Sequence, residues 1–185
     1  MILHSEPIHL PDGRTLTLRS AGPEDAAAMV EYLNTIAAET PFLTRWPEEA
    51  AADYHPEKEQ GFLRSIAEAP NRMMLTLFDK TGRVAGNAGI HPHAPTMKEL
   101  HRADLGVALI REYWHLGLGS LLIDRAIEEA RRMGYEQLEL SVFSDNARAI
   151  ALYRRKGFIE CGRTPKAFKL KDGTYNDDVL MYLTL

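Results

Sequence analysis

A chain of 185 residues with a net charge of -4 suits one domain with some decoration, and that charge gives no reason to expect a nucleic-acid partner. Hydrophobic residues make up 45% of it, enough for an ordinary core. The single cysteine, Cys161, excludes an intrachain disulfide and fits a reducing cytoplasm.

The opening MILHSEPIHLPDGR is too polar and broken for a signal peptide. No apolar run is long enough to cross a bilayer, so no membrane partner is expected. TLTLRS (15–20) alternates like a strand. AGPEDAAAMVEYLNTIAAET then reads as a helix, with Pro23 at a first helical position and Glu24 and Asp25 against the positive end of the dipole. Residues 40–56 hold three prolines and Trp46 and read as a loop or broken helix. PEKEQGFLRSIAEAP is a second helix ending at Pro70. MMLTLFD and RVAGNAGIH flank DKTG and form a β-hairpin.

DLGVALI (104–110) is the next strand, and HLGLGS (115–120) leads from it into a third helix. Leu121, Leu122, Ala126, Ile127, Ala130 and Met133 follow the helical period, and Gly134 is a natural stop. QLELSVF (137–143) alternates again. ARAIALYRRK is a fourth helix closed by Gly157, and FIECGRT and DVLMYLTL are closing strands. The strand–glycine–helix–strand unit requires a parallel crossover, and the flanking hairpins make the sheet mixed.

The two glycines before a helix raise the question of an anion. Backbone N–H groups left unpaired at a helix start bind anions, and glycine lets the backbone come close. A tight strand-to-helix turn explains the same residues. A P-loop requires Gly-Lys-Ser/Thr, which is absent. A dinucleotide fold requires a third glycine where Leu122 stands, and its acidic residue, Glu139, would lie in mid-strand rather than at the strand's end.

The segment NARAIALYRRKGF (146–158) resembles the N-x-x-A-x-x-L-Y-x-x-x-G-F signature of the GCN5-related N-acetyltransferases. GTYNDDVLMYL is similar to that family's last strand, and LTLRSAGPEDA looks like its opening strand and helix. The resemblance implies a single domain over 1–185 with its core at about 15–185. It implies an α/β (α+β) fold with a mixed sheet of about seven strands, splayed at the centre, and about four helices. It implies acetyl-CoA as co-substrate, with its pyrophosphate on His115, Leu116, Gly117, Leu118, Gly119 and Ser120. The acceptor implied is a small-molecule amine or a peptide amine, and a homodimer stays open. One departure is plain: Trp114 stands where the family carries Gln or Arg, and Arg111 or Arg148 is the candidate replacement.

Acyl transfer to an amine must remove an ammonium proton, stabilise an oxyanion and protonate a departing thiolate. The resemblance assigns the oxyanion donor to the segment Val107-Ala108-Leu109 and the thiolate's acid to Tyr153. Asn146 is a helix N-cap and, by resemblance, a cofactor contact. No residue stands out as the base. Ser141 occupies the position of a glutamate in one branch of the family, leaving Asp104, through a water, or Glu139. His91, His93 and His101 cluster nearby; two histidines without cysteine make a poor zinc site, so no metal is expected, and one of them lining the pocket or acting as base is the alternative. Cys161 reads as a small core residue. Glu39, Glu48, Glu49 and Asp53 make the first loop acidic, which favours a cationic acceptor unless they are merely solvated. An acyl-CoA binder without transferase activity and a nicotinamide-dependent oxidoreductase are the alternative functions.

Overall fold

A computed structural model describes residues 3–185 as one mixed sheet with helices on both faces. The strands are β1 (Glu6–His9), β2 (Thr15–Ser20), β3 (Met73–Phe78), β4 (Val84–Pro92), β5 (Arg102–Leu109), β6 (Gln137–Phe143), β7 (Ile159–Lys169) and β8 (Tyr175–Thr184). The helices are α1 (Ala26–Glu39), α2 (Pro47–Asp53), α3 (Pro56–Glu68), α4 (Leu118–Arg132) and α5 (Ala147–Arg155). The strand order is β1-β2-β3-β4-β5-β6-β8-β7. Every neighbouring pair is antiparallel except β5 and β6, which the α4 crossover makes parallel.

Eight strands and five helices exceed the expected counts by one each. The extra strand is β1, which pairs Glu6–His9 with Thr15–Leu18 at the sheet edge. Its Pro7 and polar residues hid it, and an edge position tolerates both. The extra helix, α2, lies in the stretch expected to be loop or broken helix. Pro47 opens it, and Glu49 Oε2 accepts the Trp46 N–H at 2.8 Å. The hairpin turn is as expected: Asp79 Oδ1 accepts the N–H groups of Thr81 and Arg83, and Gly82 takes φ +87°.

The two sheet faces can be told apart from β5. Leu109 Cδ1 would lie 3.5 Å from a Cβ on Gly119 in α4, so Leu109, Val107, Leu105 and Ala103 face α4. On that side Leu122, Ile123, Ala126 and Ala130 are fully buried. Asp104, Gly106 and Ala108 therefore face the other way. So does Asn87, which pairs with Ala108 and whose Oδ1 accepts the Tyr32 hydroxyl of α1 at 3.0 Å. Cys161 is not a core residue but exposed. It lies on β7, which has β8 as its one neighbour, at a register shift between Glu160 and Gly162. That outer strand is exposed along most of its length.

Candidate active site

β5 and β6 pair over three positions, Arg102–Asp104 against Gln137–Glu139. Beyond Asp104 and Glu139 the strands part. β5 stays with β4 as far as Leu109, while β6 stays with β8 as far as Phe143. The Ile110 N–H donates to the Ala85 carbonyl on the β4 side at 3.0 Å. Alternation along an antiparallel strand then points the Ala108 peptide at β4 and the N–H groups of Val107 and Leu109 into the opening. Of the three residues expected to supply a donor there, Ala108 is turned away. The Leu109 carbonyl, on the opening side, accepts Trp114 Nε1 at 2.8 Å.

The glycine loop reaches α4 through two left-handed residues, His115 (φ 64°) and Gly117 (φ 80°). Gly117 is the N-cap, and no side chain caps the helix. The first helical bond is Leu121 N–H to the Gly117 carbonyl at 3.1 Å. The N–H groups of Leu118, Gly119 and Ser120 therefore precede any helical acceptor, and they point outward at the positive end of the dipole. The two glycines do different work. A Cβ on Gly117 would meet nothing within 4 Å, whereas one on Gly119 would sit 3.3 Å from Leu152 Cδ2 of α5. Gly117 keeps the approach open, and Gly119 lets α5 seat against the loop. The Leu118 side chain is buried beneath, and Leu116 is half-buried.

Trp114 does not leave the loop without cations. The Arg111 and Arg148 guanidiniums both lie over its ring, 5.5 and 5.0 Å from the centroid. Glu39 holds Arg111: its Oε2 accepts the Arg111 N–H at 2.6 Å and its carbonyl accepts the side chain. Arg148 has a long contact to His115 Nε2 at 3.4 Å. The other acidic residues of the first loop are also engaged. Asp53 binds Arg45 and Lys58, Glu48 binds Lys171, and Glu49 caps α2.

Asn146 caps α5, its Oδ1 accepting the Ala149 N–H at 3.2 Å. Tyr153 follows about two turns later, one residue after the Leu152 that touches the glycine loop. It is buried, edge-on to Phe158 at 5.8 Å. Among the described residues its hydroxyl has no hydrogen-bond partner. Burial pushes its pKa up to about 12, above the ordinary tyrosine value of 10.0.

Asp104 stands opposite Glu139 on the last paired rung, on the sheet face away from α4. Its Oδ1 bonds to His93 Nδ1 at 2.8 Å, and Glu139 Oε2 lies 3.8 Å from the same nitrogen. Glu139 is also gripped by Arg102, through Nε and, at 2.7 Å, through NH2. Gly106 is exposed on this face, with nothing within 4 Å of where a Cβ would be. Ser141 is exposed and His101 lies on the surface. Burial, with Arg72 nearby, pushes the His91 pKa down. The His93–Asp104 bond was not read from the sequence. The signal was there: a β4–β5 hairpin register that pairs His91 with Asp104 puts His93 on the same face, one step along.

The sheet is thus opened at its parallel pair, with an uncapped helix start on one face and a buried tyrosine beside it. The sequence profile of the acetyltransferase (GNAT) family matches residues 34–158, and the chain belongs to that family as an N-acetyltransferase. Among curated relatives, the ribosomal protein bS18-alanine N-acetyltransferase of Salmonella typhimurium is 28% identical over 156 residues, 83% of this chain and 99% of that one. The L-amino acid N-acetyltransferase AaaT of Escherichia coli is 35% identical over 82 residues, 44% of this chain and 50% of that protein. Among solved structures, a GNAT acetyltransferase from Streptococcus pneumoniae superposes with a TM-score of 0.85 at 32% identity, over 92% of this chain and 99% of that one. The fold of Salmonella typhimurium yncA, solved with acetyl-CoA, matches with a TM-score of 0.78 at 24% identity over 92% and 94% of the two chains. No helix among the described residues is long and apolar enough to cross a membrane.

Proposed function

We propose that this chain transfers the acetyl group of acetyl-CoA to a primary amine by direct attack, across the opening between β5 and β6. The observation that carries the reading is the parting of those strands beside an uncapped, glycine-led helix. The donor fits the residues present. A left-handed Gly117 with open space around it leaves the first N–H groups of α4 accessible to a pyrophosphate, and Arg148 adds a cation. Leu116, Gly117, Leu118, Gly119 and Ser120 hold the phosphates through their backbone, with His115 and Asn146 at the rim. The co-substrate supplies an activated acetyl thioester.

The chain's own residues do the rest. Val107 or Leu109 N–H, directed into the opening, stabilises negative charge on the carbonyl oxygen. Tyr153 offers its proton to the sulfur, and its lack of another partner supports that role. Asp104, on the opposite face, takes part in removing the ammonium proton. The two relatives named above are named for acetylating an L-amino acid and an alanine of ribosomal protein bS18, which favours an amino-acid or peptide amine acceptor here. An acetyl-CoA consumption screen over amino acids, peptides, polyamines and aminoglycosides tests the reading. Thiol release that depends on one acceptor class is the expected result; binding of acetyl-CoA without release on any amine would reduce the protein to a binder.

A further inference from the structure

His93, one residue past the end of β4, Asp104 of β5 and Glu139 of β6 come together, and one ligand atom from each lies within 4.8 Å of the others. Such spacing would suit a metal ion, but Glu139 is committed elsewhere. Arg102 holds both of its oxygens, and Gln137 Nε2 adds a bond at 2.8 Å. A guanidinium so near repels a dication, and His93 with Asp104 supply too few ligands alone. What is left is an imidazole joined to a carboxylate at 2.8 Å, the arrangement by which a base is held in one orientation.

An ionised carboxylate only accepts hydrogen bonds. A bond from His93 Nδ1–H to such a carboxylate leaves Nε2 as the ring nitrogen available to an acceptor. Nε2 has no hydrogen-bond partner among the described residues. The pair lies beside the start of the opening. Asp104 is in the last rung before the opening. The His93 N–H extends the β4–β5 ladder by donating to the Arg102 carbonyl at 3.1 Å, and both side chains lie on the face away from α4.

We propose that His93 is the base for the acceptor amine and that Asp104 is its positioning residue, an inference that rests on the transferase reading and deepens it. An acceptor arriving as R–NH3+ gives one proton to His93 Nε2, directly or across one water. The freed lone pair attacks the thioester carbon; a C–N bond forms and the C–S bond breaks. The sulfur leaves as thiol with a proton from Tyr153, which recovers one from the amide nitrogen by way of solvent. His93, with 32% of its side chain exposed, returns its own proton to water. Ammonium and thioester thus become amide, thiol and one free proton. The charges facing the imidazole are Asp104 from β5 and Glu139 from β6, opposed by Arg102, itself bonded to Glu99 at 3.1 Å. Burial, and then Arg72, push the pKa of the neighbouring His91 on β4 down.

Long-range nitrogen-15 NMR of the imidazole rings reads which nitrogen carries the proton. The expected result is an Nδ1–H tautomer at His93 in the wild type, lost in Asp104→Asn with the melting temperature little changed. On the best acceptor from the amine screen, His93→Gln should lower kcat by about 100- to 10,000-fold. It should remove the acidic limb of the pH profile and leave the KM for acetyl-CoA alone. Asp104→Asn should cost about tenfold or more, with Asp104→Glu recovering part. An Nε2–H tautomer in the wild type overturns the proposal. So does wild-type turnover with an unaltered pH profile in His93→Gln, or in His93→Asn should the first variant fold poorly. Absence of turnover on every amine would sink the transferase reading itself, and an intact tautomer would then leave the pair as a structural contact only.

Discussion

The two faces of the β5–β6 opening are made of different materials. On the α4 face the site is backbone: left-handed Gly117, an uncapped helix start, and strand N–H groups turned inward. Side chains there are apolar or serve as rests, as Leu152 does for Gly119. On the other face the site is side chain: His93, Asp104, Glu139 and Arg102 tied by short hydrogen bonds, with exposed Gly106 beside them. A phosphate-bearing donor of fixed shape can be held by a fixed main chain. An acceptor that must lose a proton needs titratable groups, and only side chains offer them. Substitutions on one face should therefore leave the binding constants of the other alone.

Among the variants that compare the two faces, the largest effect is expected at Tyr153. Tyr153→Phe keeps the ring against Phe158 but removes the proton, and turnover should fall about 10- to 10,000-fold. Acetyl-CoA affinity by calorimetry should hold. The same variant has a stability signature. The folded pKa of about 12 lies above the ordinary 10.0, so the folded state holds the proton longer than the unfolded one. That stabilisation is complete below pH 10 and is lost as the pH rises toward 12. Alkaline denaturation of Tyr153→Phe should lack that share of the slope, while Tyr32, whose pKa burial also raises, still contributes.

Next comes Gly117→Val. A β-branched residue at φ 80° is strained by about 1–2 kcal/mol, and the side chain enters the space left for phosphate. Acetyl-CoA affinity should drop about tenfold, to be read by calorimetry, with acceptor KM unchanged. An unchanged donor affinity in a folded variant would remove the backbone cradle. Gly106→Leu is the mirror experiment. Its Cβ meets nothing in the protein, so folding should hold while the acceptor KM rises severalfold through a built-in clash. Donor KM rising instead would mean that the faces have been assigned the wrong way round. The smallest effect is expected for Glu48→Gln. Glu48 is already paired with Lys171, so removing it should shift neither melting temperature nor acceptor KM, and a raised KM for cationic acceptors would revive electrostatic steering by that loop.

The contrast between the faces also explains what was legible beforehand. Period and punctuation locate β6 at its observed bounds, Gln137–Phe143, and Gly134 and Gly157 take the positive φ their helix ends require. The glycine loop is contiguous, and Asn146 and Tyr153 lie on one short helix. Those parts are local in sequence and could be read. The proposed acceptor side joins residues 11 and 37 positions apart, His93 to Asp104 and Arg102 to Glu139. Their union depends on strand register, which a one-residue slip would destroy. Cys161 was misread for a related reason: the apolar neighbours Phe158 and Ile159 did not reveal that β7 is the outermost strand.

A crossing from one sheet face to the other, as proposed, has traffic rules that a one-sided pocket lacks. With the donor proposed on the α4 face and the acceptor on the Asp104 face, neither substrate stands in the other's doorway. On that proposal both are aboard together, and the acetyl group crosses without being parked on the protein. Cys161, the one thiol in the chain, is out on β7 and unsuited to hold it. Double-reciprocal plots at several fixed acceptor concentrations should accordingly intersect, where a relay through a covalent stop would draw them parallel.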